Sequence, residues 1–437
     1  MFKKIKANSE LQAMVSNIGW LALQKFLTVG LNFIVVIMVI RYLGPKNLGV
    51  LTYAQALVAI FSSLVSLGLG QIVIQALVKA SEKKTQLILG SSFILMLIGA
   101  SISVLLLMSL AIFTENSFQE KMAILIISFS CFFQCFNSID YYFQSKIKSR
   151  YFVFAQIAQS ILSVLLRLGL LYFKASLLAF AFAYLFDAVV LGLNLIFVYY
   201  WRVGNLLKWR ASTDAMFFLL GRSWPLMFSG LAVAVYMQVD QVMLKWLMGP
   251  SAVGLYGAAV KITGFWYFVP SIIGQTLFPV LIRAYKETPI FFYQKMRLYF
   301  FFSIWFPLLV ALLFSFLAPW IIQFLYGASY KSSAVVLAVS MWGAVFVFIG
   351  VASTNYLLIK GRQKIIMITT VIGALLNIGF NIFLIPTLGL LGAALSTFLA
   401  YALVNYFVLF LFKDSRDSFW LISRSFLPIG IFKNGKI

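Results

Sequence analysis

The chain has 437 residues, of which 63% are hydrophobic and only 10% are charged. Because a soluble domain carries charge on about a quarter of its residues, this composition excludes a water-soluble protein and indicates a lipid environment. A net charge of +23 is also found in proteins that bind nucleic acid, but the positions of the basic residues in this chain favour another explanation. Histidine, the commonest metal ligand and proton shuttle, does not occur in the sequence.

Twelve apolar stretches are long enough to cross a membrane as helices, since about 20 residues of helix span the hydrocarbon. A backbone in lipid must satisfy its own hydrogen bonds, and stretches that are apolar on every face exclude the alternating strands of a β-barrel. The predicted spans are residues 16–40, 48–75, 87–113, 121–143, 152–173, 177–200, 223–246, 251–282, 298–317, 333–359, 364–386 and 389–412.

These spans predict an all-α polytopic membrane protein in two halves. The N-terminal six-helix bundle covers residues 1–200, and the C-terminal six-helix bundle covers 223–412. The basic, amphipathic stretch 201–222 is interpreted as a cytoplasmic linker at the membrane surface. The last apolar run is too short to span the membrane, so residues 413–437 are predicted to form a cytoplasmic tail that is interfacial or disordered.

The loops between the spans alternate between rich and poor in lysine and arginine. With the N-terminus inside, 25 of the 34 basic residues fall in inner segments and 6 in outer segments, while Lys25, Arg167 and Lys261 lie within spans. Inner loops of membrane proteins carry such an excess. The pattern predicts a cytoplasmic N-terminus, and it explains the net charge without nucleic acid as a partner.

A turn sequence occurs twice in the chain. RYLGPKNLG at residues 41–49 recurs as KWLMGPSAVG at 245–254, with the Gly-Pro dipeptide and a second glycine aligned. Six predicted helices separate the copies, so both fall on the outer side after the first helix of a half. Gly-Pro turns are common between helices, but a parallel repeat about an axis along the membrane normal explains both copies. It predicts two bundles that rock to give alternating access to a central cleft.

Four stretches resemble the Wzx-type O-antigen and polysaccharide flippases of the MOP exporter superfamily: IRYLGPKNLGVLTYAQALVAIFSSLVSLGLG, WPLMFSGLAVAVYMQVDQVMLKWLMGPSAVGLYGAAVKI, FLYGASYKSSAVVL and TLGLLGAALSTFLAYALVN. The resemblance covers about residues 10–412. It implies a MATE-like fold in the bacterial inner membrane without catalytic residues or cofactors. It also implies movement of undecaprenyl-pyrophosphate-linked oligosaccharide from the inner to the outer leaflet. Many members have 14 helices, whereas 12 are predicted here.

Five ionisable residues lie well within the predicted spans, where charge is costly and usually functional. At about 1.5 Å of rise per residue, Arg167 and Asp240 lie roughly 9 Å below the outer ends, Asp187 and Lys261 roughly 15 Å, and Lys25 roughly 24 Å. The matching depths predict two ion pairs between the halves, one joining Arg167 to Asp240 and one joining Asp187 to Lys261. Such pairs could also serve only to hold helices together.

The functional interpretation of these charges is electrostatic. A lipid pyrophosphate cannot cross hydrocarbon alone, so Lys25, Arg167 and Lys261 are predicted to offer counter-charge along its path. Asp187 and Asp240 are predicted to couple transport to H⁺ or Na⁺, because a carboxylate removed from water has an altered affinity for cations and protons. No resident metal is predicted. The expected partners are the lipid-linked oligosaccharide, membrane lipids and glycan-assembly proteins.

Several amides also lie within the spans. Asn32 and Gln55 are predicted to bind substrate, because amides suit the hydroxyl groups of sugars. Asn377 and Asn381 are four residues apart on the eleventh predicted helix. Hydrogen bonding between helices is the alternative role for each amide.

Three other functions are weighed against the flippase. A multidrug cation antiporter of the same superfamily would carry an excess of intramembrane acids, whereas here three cations accompany two deep acids. A lipid II flippase would fit the cations equally well. A membrane glycan polymerase or ligase would need a sizeable loop with an acid and a base, but the longest outer loop, 318–332, has neither an acidic residue nor a histidine.

Overall fold

The computed structural model describes the backbone of residues 2–427 and the side chains of residue 30 and residues 32–427. Within these residues, eleven stretches are long and apolar enough to cross a membrane. The first of them, Asn32–Val78, has 47 residues, which at about 1.5 Å per residue is twice the length that a bilayer needs. A break at Gly44 divides it, so the helices match the twelve predicted spans.

The chain forms two compact units. The first consists of Met1–Leu43 and Val50–Ala234, and the second of Gly44–Gly49 and Val235–Ile437. The predicted boundaries of the bundles, linker and tail stay a prediction.

The first unit contains the first eight helices of the chain, apart from Gly44–Gly49. They are α1 (Phe2–Ser66), α2 (Leu69–Val78), α3 (Glu82–Phe113), α4 (Phe118–Ser128), α5 (Ser130–Phe133), α6 (Asn137–Ser145), α7 (Arg150–Tyr172) and α8 (Leu177–Arg202). A 3₁₀ turn at Gln134–Phe136 joins α5 to α6, so that α4 to α6 form one continuous span. A second 3₁₀ turn, Leu206–Lys208, lies in the predicted linker.

The second unit begins within α9, which crosses the boundary at Ala234. Its helices are α9 (Thr213–Met248), α10 (Pro250–Trp266), α11 (Phe268–Glu287), α12 (Pro289–Tyr326), α13 (Ser333–Ile359), α14 (Gln363–Leu388), α15 (Leu390–Ala402), α16 (Val408–Leu411) and α17 (Arg416–Ser425). A 3₁₀ turn at Ala328–Tyr330 precedes α13, and a π-helical turn at Leu403–Phe407 joins α15 to α16.

The two copies of the repeated turn have the same backbone conformation. Gly44 has φ 69° and ψ 170°, and Gly249 has φ 87° and ψ 178°. Side chains with a Cβ rarely adopt such positive φ values, so glycine is required at both positions. The following prolines start the next helix, where a missing N–H costs nothing. Each turn therefore ends one membrane helix and begins the next.

The two turns also pack against each other within the second unit. A Cβ atom on Gly49 would overlap the carbonyl oxygen of Pro250, and one on Gly254 would overlap that of Pro45. The contact is reciprocal, because each Gly-Pro carbonyl fits against the second glycine of the other copy. This packing explains why Gly44–Gly49 belongs to the second unit although it lies early in the sequence.

Small residues allow helices to approach closely inside each unit. On α13, Gly343, Ala344 and Ala352 are buried, and on α3 Gly99 would meet the backbone of Leu64 if it carried a Cβ. Apolar burial does not drive association between helices in lipid, so small residues that allow close approach do. Large apolar side chains such as Phe113 and Trp320 point outwards instead, as lipid-facing surfaces require.

Candidate functional site

Two helix hairpins of the second unit bring polar groups to the same level. Asp240 lies nine residues before the turn at Gly249 and Tyr256 lies seven residues after it, so both are about 10–14 Å from the turn. Asn381 and Thr397 lie eight residues on either side of Gly389, about 12 Å from that second turn. Similar spacing from a turn places two residues at about the same level on antiparallel helices.

Asp240 is the centre of this cluster and is 6% exposed. Its Oδ2 accepts hydrogen bonds from the hydroxyl of Tyr256 at 2.5 Å and from the hydroxyl of Thr397. Its Oδ1 accepts one from Nδ2 of Asn381 at 2.6 Å. Among the residues that the structure describes, no basic side chain lies within ion-pair distance of Asp240.

A second amide completes the Asp240 cluster. Asn377 donates to the hydroxyl of Thr397 at 3.3 Å, and Asn381 donates to Oδ1 of Asn377 at 3.3 Å. The two asparagines face the same way because residues four apart share a helix face. Oδ1 of Asn381 is buried and accepts no hydrogen bond from the described residues. The cluster thus holds a carboxylate, two hydroxyls and an amide oxygen that accepts no hydrogen bond from the described residues. Oxygen ligands of these types are the ones that hard cations prefer.

Arg167 forms the other intramembrane charge contact, in the first unit. Its Nη2 lies 2.5 Å from Oδ2 of Asp187, and its guanidinium carbon lies 5.1 Å from the ring centroid of Tyr184. The buried arginine joins α7 to α8, which are consecutive helices. Oδ1 of Asp187 is buried and has no partner in the described part of the chain.

The predicted partner of Arg167 was therefore wrong. Depth along a helix gives only one coordinate of a side chain, whereas pairing also depends on which way each helix faces and on how far the arginine reaches. Asp187, on the next helix, meets Arg167 although its predicted depth differs. The prediction that Asp187 pairs with Lys261 was wrong for the same reason.

The remaining predicted substrate-binding residues belong to different units of the chain. Lys261 lies on α10, is exposed, and makes no ion pair or hydrogen bond with the described residues. Asn32 and Gln55 are half-buried on α1. The side chain of Lys25 lies outside the described residues. The roles predicted for these residues in substrate binding, and those of Asp187 and Asp240 in ion coupling, stay predictions.

An apolar cavity lies between α11 and α12. Its volume is about 420 Å³, and its walls include Leu277, Phe302 and Phe306. Lys295 is the one charged residue among those described in its lining, and its ammonium lies 5.2 Å from the ring centroid of Phe291. The cavity therefore combines a hydrocarbon surface with a single cation.

Comparison with known proteins assigns the chain to a family. The sequence profile of the polysaccharide biosynthesis proteins matches residues 14–285, which is more than half of the chain. The chain belongs to the polysaccharide biosynthesis protein family. A second profile, that of the MatE proteins, matches residues 225–383 of this family member, and the resemblance predicted from the sequence is confirmed.

Two related proteins match this polysaccharide biosynthesis protein. The capsular polysaccharide biosynthesis protein CapF of Staphylococcus aureus is 20% identical over 400 residues, which cover 90% of this chain and 98% of CapF. An uncharacterised membrane protein of Methanocaldococcus jannaschii is 28% identical over 180 residues, 40% of this chain and 34% of the relative.

Solved structures of a multidrug transporter and of a lipid II flippase share the fold. An inward-facing multidrug resistance MATE transporter superposes with a TM-score of 0.69 at 18% identity, covering 93% of this chain and 99% of the transporter. The lipid II flippase MurJ superposes with a TM-score of 0.71 at 16% identity, covering 94% and 91%. The predicted all-α, MATE-like fold is confirmed, and this polysaccharide biosynthesis protein is a multi-pass membrane protein.

Sequence reasoning found part of the Asp240 cluster and missed the rest. Asp240, Asn377 and Asn381 were singled out, the two asparagines as separate amides. Tyr256 and Thr397 were missed, although their distances from the glycines of two turns could have indicated that they lie level with the carboxylate.

Proposed function

We propose that this protein moves undecaprenyl-pyrophosphate-linked oligosaccharide from the inner to the outer leaflet of a bacterial inner membrane by alternating access, with its N-terminus in the cytoplasm. The observation that carries the proposal is the family assignment, supported by similarity to a capsular polysaccharide biosynthesis protein over 90% of the chain. Such a cargo has an apolar tail, an anionic head group and a hydrated glycan. Each part needs a different surface on the transporter.

Lys261 is the cation that best fits the head group. It lies eleven residues after Pro250, about 16 Å along α10, and it is exposed without a carboxylate partner among the described residues. Arg167 is a weaker candidate, because Asp187 already neutralises its charge. A cation within a membrane span is costly when no negative charge neutralises it. The anionic head group of the cargo would neutralise Lys261 as it passes.

The apolar cavity between α11 and α12 fits the tail of the cargo. It has a hydrocarbon lining over a volume of about 420 Å³, with Lys295 beside it. A polyprenyl chain would occupy the apolar walls while the ammonium attracts a phosphate.

The Asp240 cluster is the proposed site of ion coupling. Its carboxylate has neutral partners, and a neighbouring amide oxygen accepts no hydrogen bond from the described residues. A proton would remove the buried charge, and Na⁺ would be bound by the same oxygens. In either case, occupancy of the cluster alters the packing of α9, α10, α14 and α15, which are the helices that it joins.

Glycan-assembly proteins are further proposed partners.

Two related functions share this fold. A multidrug antiporter needs acidic groups that a drug-sized cation can reach, but Asp187 is paired with Arg167 and Asp240 is only 6% exposed. A lipid II flippase would use the same cation and the same apolar cavity. The capsular polysaccharide relative favours an oligosaccharide cargo over lipid II.

The test of this function is reconstitution of the purified chain into sealed vesicles. Undecaprenyl-pyrophosphate-linked oligosaccharide is placed in one leaflet, and its arrival in the other is followed with a membrane-impermeant lectin. We expect transfer of this cargo and not of lipid II or a cationic dye. Transfer of lipid II or the dye without transfer of the oligosaccharide would refute the proposal.

Lys261→Ala tests the role of the cation. Transfer should fall about tenfold or more, because a hydrogen bond to a charged group contributes about 1.5–3 kcal/mol and 1.4 kcal/mol corresponds to a factor of ten. Lys331→Ala, which removes an exposed lysine outside the spans, is the matched control. An unchanged rate for Lys261→Ala at equal protein amount would remove Lys261 from the proposed path.

A further inference from the structure

Two neighbouring cavities of the second unit have a lining unlike that of the apolar cavity. Their volumes are about 240 and 360 Å³, and they share Val351 and Asn355. The hydroxyl and amide side chains around them belong to otherwise apolar spans, and those that matter below are Tyr267, Gln275, Thr354, Asn355, Tyr401 and Asn405. No charged residue of the described chain lines either cavity.

Asn405 lies in the π-helical turn Leu403–Phe407. Such turns are rare inside helices and occur frequently at functional sites. Its amide lies against Gly350, where an added Cβ would come within 2.6 Å of Oδ1. Asn405 is half-buried and makes no hydrogen bond with the described residues. Because an amide without partners is costly in an apolar environment, its donor and acceptor groups are expected to serve a ligand or water in the cavity.

Asn355 is held in a defined direction. Its Nδ2 donates to the carbonyl oxygen of Gly274 at 3.0 Å. A Cβ on Gly274 would come within 2.7 Å of Val351 and 3.2 Å of Nδ2 of Asn355, so the glycine makes room for the amide. Both asparagines of the cavities thus rest on glycines, which bring them close to a neighbouring helix without filling the cavity.

Two tyrosines add aromatic surface to the wall. Tyr401 is buried and contacts Tyr236 edge to face, with ring centroids 5.3 Å apart. Tyr267 is half-buried between α10 and α11. Aromatic rings pack against the C–H faces of sugar rings, while amides both donate to and accept from hydroxyl groups. Because the described lining has no charged residue, the cavities suit a neutral ligand. Their combined volume is in the range of small-molecule pockets, about 300–1,000 Å³.

We propose that these two cavities, here called the amide site, bind the glycan of the cargo through the hydroxyl groups of a neutral pyranose. The inference rests on the proposed function and adds the residues that recognise the sugar. Asn355 lies four residues before the end of α13, about 6 Å from it, and the charge pattern assigns that end to the cytoplasm. The amide site therefore lies on the side where the cargo is loaded, and neither Lys261 nor Asp240 lines it.

The experiment uses the purified full chain and two probes. One is the oligosaccharide that mild acid releases from its undecaprenyl-pyrophosphate carrier by cleaving the sugar–phosphate bond, and the other is undecaprenyl pyrophosphate without a glycan. Affinity is measured by titration calorimetry. Asn405→Ala and Gln275→Ala should each weaken oligosaccharide binding about tenfold and leave undecaprenyl pyrophosphate binding unchanged.

Matched variants separate recognition from folding. Gln275 is exposed and makes no hydrogen bond with the described residues, so its replacement leaves the packing intact. Thr276→Val changes the neighbouring exposed residue, which does not line either cavity, and should bind both probes as the wild type does. Asn405→Ser keeps a small polar group if Asn405→Ala yields little folded protein, and it should also bind the oligosaccharide more weakly.

The outcomes distinguish this inference from the proposed function. Equal oligosaccharide affinity in the wild type and in the Asn405 and Gln275 variants would overturn the amide site, as would a wild type that does not bind the oligosaccharide. In both cases, transfer of the lipid-linked oligosaccharide in vesicles would leave the function standing. A wild type that transfers no lipid-linked oligosaccharide would remove the function and, with it, the basis of the amide site.

Discussion

Asp240 shows how a membrane protein keeps a carboxylate without a basic partner. Tyr256, Thr397 and Asn381 supply donors to both of its oxygens, so the buried group is hydrogen-bonded although no described cation neutralises it. Hydrogen bonds to a charged acceptor are stronger than neutral ones, but they leave the net charge in place. The coupling role proposed for Asp240 requires a residue that gains and loses a cation, whereas a role in helix contact alone does not.

Asp240→Asn tests this role. The change keeps the size of the side chain and removes its charge, so the protein should fold while transport loses its dependence on a H⁺ or Na⁺ gradient. If Na⁺ is the ion, it should stabilise the wild type in thermal unfolding, by about 2.7 kcal/mol at 100 times its dissociation constant, and should not stabilise the variant. Asp214→Asn, at an exposed position on the same helix, is the control. Gradient-dependent transport by Asp240→Asn would contradict the coupling role.

The Arg167–Asp187 pair has a different character, since each charge has a partner of opposite sign. Removing one partner of a buried pair leaves an uncompensated charge, which costs about 3–5 kcal/mol in soluble proteins, whereas replacing both is often neutral. Arg167→Leu or Asp187→Leu alone should lower the melting temperature of the purified protein by several degrees. The double variant should recover most of this loss.

Transport by the double variant then decides between two roles. A stable double variant that transfers the cargo normally assigns the pair to helix packing, and one that has lost transfer assigns it to the path of the cargo. Equal melting temperatures for the two single variants and the wild type would contradict the ion pair itself.

Among the elements, the repeated Gly-Pro turn joins sequence to packing most directly. The first glycine of each copy adopts a positive φ. The second glycine, which has no Cβ, leaves room for the proline carbonyl oxygen of the other copy. Glycine has no Cβ, so it can both adopt the positive φ and allow the close approach of the carbonyl oxygen. The reciprocal contact fastens α10 to the break in α1 within the second unit.

Gly49→Ala and Gly254→Ala should each destabilise the protein. The added methyl group would overlap a backbone oxygen, which cannot rotate away as a side chain can, and overpacking typically costs about 1–3 kcal/mol. Gly379→Ala on α14 is the control, because nothing lies within 4 Å of its added Cβ and alanine favours a helix. Thermal unfolding in detergent measures the difference. Melting temperatures equal to that of Gly379→Ala would contradict the close contact.

The elements were more predictable than the contacts between them. Apolar length and Gly-Pro turns indicated the helices and their breaks, because a backbone in lipid must form helices. The partner of Arg167 depended on the direction in which α7 and α8 face each other, which composition does not reveal. The π-helical turn at Asn405 has no recognised sequence signal, so the amide site became visible only in the folded chain.

At the scale of the whole molecule, the charges outside the spans predict the orientation of the protein in the membrane. The 25 basic residues of the inner segments and the 6 of the outer segments predict an orientation through the positive-inside rule. The lysines and arginines number 34 against 11 acidic residues, and this excess also suits a protein whose inner loops meet anionic lipids. Orientation then determines which end of α13 faces the cytoplasm.

Reporter fusions test this orientation. Green fluorescent protein joined after residue 205 or residue 361 should fluoresce, because those loops are predicted to be cytoplasmic, and alkaline phosphatase joined there should be inactive. After residue 175 or residue 329 the two reporters should behave in the opposite way. Four fusions of the same reporter serve as controls for one another, since protein amount is compared by blotting. A reversed pattern would place the end of α13 near Asn355 on the outer side, so the amide site would bind the glycan at release and not at loading.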